Sequence, residues 1–280
     1  MTEFKSFYKV VGGNEGSKCH YPARLDLYGC GCEHDCKYCY AKSLLDFRKL
    51  WNPMSPSVAD LSRVQRRIRK LEPGMTVRLG GMTDCFMPSE KIKRNTYHAI
   101  QMLNDHGNHY LIVTKSAMVA DPEYIKVMDR DKAHIQVTVT TLNDEFCSTY
   151  EKASQPSKRI RAIQELQQEG FDVAIRMSPY IPQFWLGDLH KLKEYGIKKA
   201  LVEFLRVNTW IRKWFQIDYS EYTVKHGGYQ HLPLAKKIEY LRPLQGLFKE
   251  LTVCEDESEA YEYWKQNVNP NPDDCCNLRR

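Results

Sequence analysis

Cys32, Cys36 and Cys39 stand in the run Tyr28-Gly-Cys-Gly-Cys32-Glu-His-Asp-Cys36-Lys-Tyr-Cys39-Tyr40, a C-x3-C-x2-C spacing. Three thiolates on so short a loop can hold three corners of a cubane iron–sulfur cluster and leave its fourth iron without a protein ligand. Clusters that only carry electrons usually take four cysteines, so an open iron points to a reaction site. Gly29 and Gly31 let the backbone turn tightly around a bulky core, and Tyr38 can cover one face of it. Two other readings stand beside this one. A structural zinc ion would need Cys30 or His34 as its fourth ligand, and the thiols could instead form disulfides.

The elements that position this loop are short apolar strands alternating with amphipathic helices. Strands are expected at Arg24–Tyr28, Val77–Leu79, Tyr110–Val113, His134–Val139, Val173–Arg176 and Ala200–Phe204. Helical periodicity fills the gaps. From Ser157 to Gly170, for example, Ile160, Ile163 and Leu166 share a face and Gly170 is a stop. Such alternation gives a parallel sheet. In parallel α/β barrels the loops after the strand C-termini build the active site, and the chemistry-bearing motifs fall at those ends.

The stretch Leu27 to Ala41 resembles the spore photoproduct lyase-like branch of the radical S-adenosylmethionine (SAM) superfamily, where a glycine-rich lead-in precedes the cysteines and Tyr-Ala follows. The resemblance implies an α/β fold: a partial (β/α)6 barrel of the radical SAM type with a C-terminal extension. It implies a 4Fe-4S cluster on Cys32, Cys36 and Cys39, with SAM chelating the open iron. An electron from the reduced cluster then cleaves SAM to methionine and a 5′-deoxyadenosyl radical, which takes a hydrogen atom from substrate.

The same resemblance assigns the SAM site. Gly80 and Gly81, in Arg78-Leu-Gly-Gly81-Met-Thr-Asp84-Cys85, expose backbone to the SAM amino group, with Thr83 and Asp84 beside them, and Ser89 can cap the following helix. Lys115, in Thr114-Lys115-Ser116, pairs with the SAM carboxylate. Thr140 suits the ribose or the methionine carboxylate, Glu151 precedes a helix start, and Pro179 belongs to a segment along the adenine. Each has a plainer reading: a turn, a surface lysine or a strand-forming threonine. Cys85 is a candidate hydrogen-atom donor, as a loop cysteine is in that branch, although it lies several residues from the branch's position. A buried cysteine acting as a small hydrophobe is the other reading.

Between Arg206 and Lys237 aromatic residues and cations interleave. Glu221–Lys225, His226-Gly-Gly228 and Tyr229–Leu232 read as a β-hairpin. Tyr222, Lys225, Tyr229 and His231 are its candidate substrate residues, since aromatics stack on bases while cations hold phosphates. The resemblance implies a hairpin that opens a duplex, and extrusion of a base is what chemistry within a duplex demands. A nucleic acid or nucleobase is therefore the expected substrate. A peptide or small metabolite is the alternative, as is a non-catalytic zinc-stabilised nucleic-acid-binding module. The reaction, repair or modification, also implies a reducing partner such as flavodoxin or ferredoxin.

Composition sets the bounds. The 280 residues carry a net charge of +6, a mild bias toward polyanions, and 42% are hydrophobic, enough for a sizeable core. No apolar run is long enough to cross a membrane and the N-terminus lacks a signal-peptide pattern, so a cytoplasmic location is expected. Ten cysteines then point to metal or redox chemistry. Residues 1–205 are expected to form the barrel with its lead-in, and 206–280 a substrate-facing extension. Cys254, Cys275 and Cys276 at its end could join Cys19 or Cys30 in a second metal site or remain reduced in a partly buried tail.

Overall fold

In the computed structural model the described residues are 4, 7–16, 18–185, 187–256 and 258–278. Twelve strands follow in order: β1 (Tyr8–Val10), β2 (Ala23–Leu25), β3 (Tyr28–Gly29), β4 (Ser57–Val58), β5 (Thr76–Leu79), β6 (His109–Thr114), β7 (Ala133–Thr138), β8 (Asp172–Tyr180), β9 (Lys199–Phe204), β10 (Val224–His226), β11 (Tyr229–His231) and β12 (Glu250–Val253). Eight of them form one sheet in the order β1-β2-β5-β6-β7-β8-β9-β12. Every pairing in it is parallel except that of β1 with β2. The six expected strands are β2 and β5 to β9. With the intervening helices they make the six-unit partial barrel.

Register gives the sheet two different faces, because successive side chains point to opposite sides. Leu25, Leu79, Ile112, Ile135 and Val173 lie in one lateral row. They belong to the main apolar core, together with Val64, Ile68, Ala99, Ile100, Ile160, Ile163 and Leu166 from the helices. The neighbouring row, Arg24, Arg78, Leu111, His134 and Asp172, is largely polar and turns inward. The helices are placed by local chemistry. Asp60 caps Leu61–Ile68, accepting from Arg63 N at 2.9 Å. Pro156 opens Pro156–Gln168 at a position where its missing N–H is not needed, and the chain leaves that helix at Gly170, φ +86°. Each buried Ile or Leu on its inner face contributes about 1.5–3 kcal/mol.

The expected division at residue 205 falls just after β9. The segment beyond it returns to the same sheet through β12, a seventh parallel strand that sequence patterning did not indicate. The tail then runs beneath the inner face. Asn269 exchanges hydrogen bonds with the Val253 backbone at 2.7 and 3.1 Å, and Lys199 Nζ donates to the Asn277 carbonyl. Cys275, Cys276 and Leu278 pack with Val11, Tyr21 and Leu111 in a second, smaller apolar cluster. The expected hairpin is β10–β11. Gly227 and Gly228 form its two-residue turn, both at positive φ, +58° and +82°, as the twist of flanking strands favours. Ser89 precedes helix Glu90–Lys93 but makes no side-chain capping bond. Its backbone N–H goes to Glu33 at 2.7 Å instead. No helix among the described residues is long and apolar enough to cross a membrane.

Candidate active site

The cysteine loop follows β3 and turns twice through left-handed backbone, at Cys30 (φ 56°) and Asp35 (φ 41°). Gly31 is required there: a Cβ would lie 2.0 Å from the Asn52 carbonyl oxygen. Cys39 ends the loop as the N-cap of helix Tyr40–Phe47. Cys32 and Cys36 are buried, Cys39 is half-buried, and all three line a cavity at the barrel mouth. Three sulfurs around one tetrahedral zinc sit roughly 3.8 Å apart, from a Zn–S bond of about 2.3 Å. Among the described residues the only His, Cys, Asp or Glu trio with ligand atoms within 4.8 Å of one another lies elsewhere. The three triad sulfurs are therefore not all within that distance of one another. His34 does not complete a zinc site either, since its Nε2 faces Asp84 Oδ2 at 3.2 Å. Burial pushes the Cys32 thiol up to about 12, with the charge of Asp84 adding to it. Burial also raises Cys36, against the pull of Lys115. It falls to the metal to deprotonate these thiols on binding.

The loop after β5 supplies the opposite wall. Gly80 has φ +76°, and a Cβ there would meet the Thr83 carbonyl at 2.7 Å. Asp26 accepts from Gly81 N at 2.7 Å and Met82 N at 3.0 Å, Tyr40 Oη donates to the Gly81 carbonyl at 2.7 Å, and Thr83 Oγ1 donates to the Tyr28 carbonyl at 2.6 Å. Asp84 gathers donors from two loops: Phe86 N at 2.8 Å, Thr114 Oγ1 at 2.8 Å and Lys115 N at 2.6 Å. Burial alone would raise its pKa, but His34 and these backbone donors outweigh it and bring the carboxyl to about 2. Asp84 thus clamps the ends of β5 and β6 to the cysteine loop.

Lys115 projects into the cavity, its Nζ 5.6 Å from the Tyr38 ring centroid. Its backbone N–H is the donor to Asp84, and among the described residues its ammonium makes no hydrogen bond or ion pair. Burial works against its charge, yet Cys36, Glu151, Asp84 and Cys39 hold it more firmly protonated than usual. Tyr38 and Pro179 line an adjoining cavity that shares Cys36, Cys39, Tyr40 and Lys115 with the first.

Other sequence candidates lie apart from the cavity walls. Ser116 caps a short 3-10 turn, accepting from Met118 N at 3.3 Å. Thr140 and Glu151 sit in a buried network behind the cysteine loop. Glu151 pairs with Arg159 at 2.5 Å with both side chains fully buried, and takes hydrogen bonds from Tyr38 Oη and from Cys147 Sγ at 2.8 Å. The Thr140 hydroxyl is 2.9 Å from that of Tyr150. Cys85 is buried in the main core with its thiol toward the Leu79 carbonyl at 3.8 Å. Of the hairpin candidates, Lys225 is exposed, Tyr229 is half-buried, and Tyr222 and His231 are buried.

A set of inward charges completes the floor of the cavity and was not anticipated. Arg176 reaches Glu203 at 2.6 Å and Gln136 at 2.7 Å, and Ser178 Oγ donates to Glu203 at 2.8 Å. Arg206 pairs with Asp256 at 2.5 Å and Glu203 at 3.3 Å. Its guanidinium lies 5.5 Å from the Tyr40 ring centroid and 5.6 Å from that of Tyr229, joining mouth and hairpin. Burial would raise Glu203, but Arg176 and Arg206 hold it at about 2. The signal was present: Arg24, Arg78, Arg176 and Glu203 interrupt otherwise apolar strands.

The sequence pattern of the Radical SAM superfamily matches residues 27–185, more than half of the chain, from just before the cysteine loop to just beyond β8. The chain belongs to the radical SAM superfamily. It is a radical SAM enzyme, and its cofactors are a 4Fe-4S cluster and SAM. The partial barrel of this superfamily member aligns with spore photoproduct lyase complexed with dinucleoside spore photoproduct at a TM-score of 0.65 and 15% identity, covering 89% of this chain and 79% of that one. A lyase variant with bound AdoMet and dinucleoside spore photoproduct aligns at 0.60 and 16%, covering 83% and 76%. Streptococcus suis SuiB bound to S-adenosylmethionine aligns at 0.57 and 12%, covering 89% and 53%. The curated relative is an uncharacterized protein, ORF301, of Acidianus two-tailed virus, 21% identical over 167 residues. The chain spans about half the length of that relative, 55%.

The cavity suits both cofactors of the superfamily. It presents three thiols, a glycine pair whose backbone can be approached closely, and an ammonium that makes no hydrogen bond or ion pair among the described residues. The reading as a zinc-stabilised module without catalysis gives way to the superfamily match.

Proposed function

We propose that this radical SAM enzyme acts on a nucleobase, carried in a nucleic acid or as a nucleoside unit, through residues 1–205 as the reaction barrel and 206–280 as the substrate-facing part. The observation that carries the proposal is the continuity between mouth and hairpin made by Arg206, stacked between Tyr40 and Tyr229. Around it the surface alternates rings and cations: Lys42 over Trp214 at 5.0 Å and Arg212 over Tyr219 at 4.5 Å. Rings on such a surface take up bases by stacking and its cations take up phosphate. The dinucleoside named in the solved lyase complexes lends support, since it is a ligand of this chemical class on this fold.

Bound together, the reduced cluster and SAM supply a 5′-deoxyadenosyl radical that takes a hydrogen atom from substrate. The protein's part is placement. Cys32, Cys36 and Cys39 would hold the cluster. Lys115 would pair with the SAM carboxylate, and the backbone at Gly80 and Gly81 would receive its amino group. Asp26 and Asp84 fix those two loops. Ser178, Pro179 and Glu203, which line the cavity beside Lys115, would be left for the adenosyl group. Tyr38, its hydroxyl tied to Glu151, would shield the cluster from water.

Two sets of measurements test this. Cys36→Ala should remove the visible chromophore of oxygen-free protein and all SAM cleavage. Lys225→Ala and Tyr229→Ala should weaken DNA or RNA binding while leaving substrate-free SAM cleavage at the wild-type rate. Binding that does not fall with added salt, or that these two changes leave untouched, would count against a nucleic acid. Transfer of deuterium from a labelled peptide or small metabolite, and not from any nucleoside or oligonucleotide, into 5′-deoxyadenosine would replace this substrate class with another.

A further inference from the structure

Of the seven cysteines outside the triad, the fold brings four together from three distant segments. Cys19 lies in the connection from β1 to β2. Cys254 follows β12 and continues its ladder, donating to the Val202 carbonyl at 2.8 Å. Cys275 and Cys276 belong to the tail beneath the inner face. The sulfurs of Cys19, Cys275 and Cys276 all lie within 4.8 Å of one another. Cys19 Sγ is 3.9 Å from Cys275 Sγ, and Cys254 Sγ is 3.6 Å from the same atom. Such distances are far beyond a disulfide bond of about 2.05 Å. Within the trio they match the separation of roughly 3.8 Å between sulfurs on one tetrahedral zinc; Cys254 Sγ stands outside the trio, close to Cys275, and would complete the tetrahedron by a side-chain rotation. A cubane would hold each thiolate on a separate iron and spread the sulfurs further apart.

The tail is folded to present two adjacent thiols to one point. Asp274, fully buried, receives Cys276 N at 3.0 Å and Leu278 N at 3.2 Å, and Asn277 turns through left-handed backbone at φ 49°. The surrounding charges suit a metal tetrathiolate, which carries two negative charges. Lys18 is buried beside the thiols, anchored by the Glu255 carbonyl and paired with Asp256 at 3.4 Å. Arg176 lies within electrostatic reach of Cys254 and Cys276. Of the other groups near the thiols, Tyr21 Oη donates to Glu15 at 2.9 Å, and Glu203 opposes charge on Cys254.

We propose that Cys19, Cys254, Cys275 and Cys276 bind a single zinc ion in a closed tetrathiolate site, separate from the cluster, that fastens the C-terminal tail into the barrel. Binding releases the remaining thiol protons and involves no electron transfer.

The full chain, prepared without oxygen and incubated with Zn2+, should carry about one zinc per chain. Replacing the triad together (Cys32→Ala, Cys36→Ala, Cys39→Ala) should remove the iron and leave the zinc. Cys254→Ser with Cys275→Ser should lose the zinc and keep the iron and its chromophore. X-ray absorption at the zinc edge of the wild-type protein gives an answer even if that variant does not fold, and should find four sulfurs at about 2.3 Å. The proposal is overturned by any of the following: no zinc after incubation, zinc lost with the triad, zinc kept by the double serine variant, a first shell dominated by nitrogen or oxygen, or iron in place of zinc on these thiols.

Discussion

Arg159→Met tests the buried network behind the cysteine loop. Arg159 and Glu151 are fully buried and 2.5 Å apart. Arg159 also donates to the Ser154 carbonyl at 2.5 Å and the Thr138 carbonyl at 3.0 Å. Methionine keeps much of the volume but leaves the Glu151 carboxylate buried without its closest cation, a loss of about 3–5 kcal/mol. For a chain of this size that is a fall in Tm of about 6–20 °C. Burial disfavours the charge on Glu151, and Arg159 and then Lys115 reverse this, so its pKa is lowered. Without Arg159 the folded-state pKa rises above the unfolded value, and the variant's deficit should shrink as pH falls. Removing both charges, with Glu151→Leu added, should be less damaging than Arg159→Met alone by at least ~1 kcal/mol, because no unpaired ion is then buried. Denaturant titrations of the metal-free chain at two pH values measure all three variants. A single-variant loss below ~1 kcal/mol, or simple additivity in the double variant, would refute the reasoning. Impaired SAM binding in Glu151→Gln at unchanged stability would instead return Glu151 to the cofactor role that sequence assigned.

Lys115→Met should weaken SAM binding about 10- to 100-fold, the worth of one charge-assisted hydrogen bond, with iron content unchanged; equilibrium dialysis decides. Gly80→Ala should disrupt SAM binding more than Gly81→Ala. The former forces a side chain into left-handed backbone and onto the Thr83 carbonyl, the latter only onto the movable Arg24 side chain. Equal effects would contradict the geometry. Asp172 is held at about 2, since His134 and Lys199 outweigh the effect of burial. Its folded pKa lies below the unfolded one, so its contribution, about 2 kcal/mol, is present above pH ~4 and lost as pH falls toward 2. The stability gap between wild type and Asp172→Asn should close over that interval.

The cysteine loop, the six parallel strands and the hairpin were legible because each is encoded locally, by spacing, by β-branched alternation or by a Gly-Gly turn. The strand β12 was missed: its four residues, Glu-Leu-Thr-Val, offer too short a pattern to separate from loop. The roles of Thr140 and Glu151 were read from resemblance, whereas Glu151 is bound by Arg159 of the next helix and by Tyr38 of the cysteine loop, and Thr140 meets Tyr150. A hint existed, because Arg159 falls at helical spacing from Ile163 and Leu166 and so lies on the buried face. The four inner thiols illustrate the limit of local reading. Residues 19 and 275 become neighbours only through the register of the whole sheet.

The C-terminal tail beneath the inner face has a consequence for biosynthesis. β2 and β5 to β9 are all made before residue 205, yet the lower interior is filled by residues 269–278. A nascent chain on the ribosome therefore has a sheet with an open base until residues 269–278 emerge, and contacts between residues 19 and 275 give it high contact order, which slows folding. Maturation of this barrel ends at its floor.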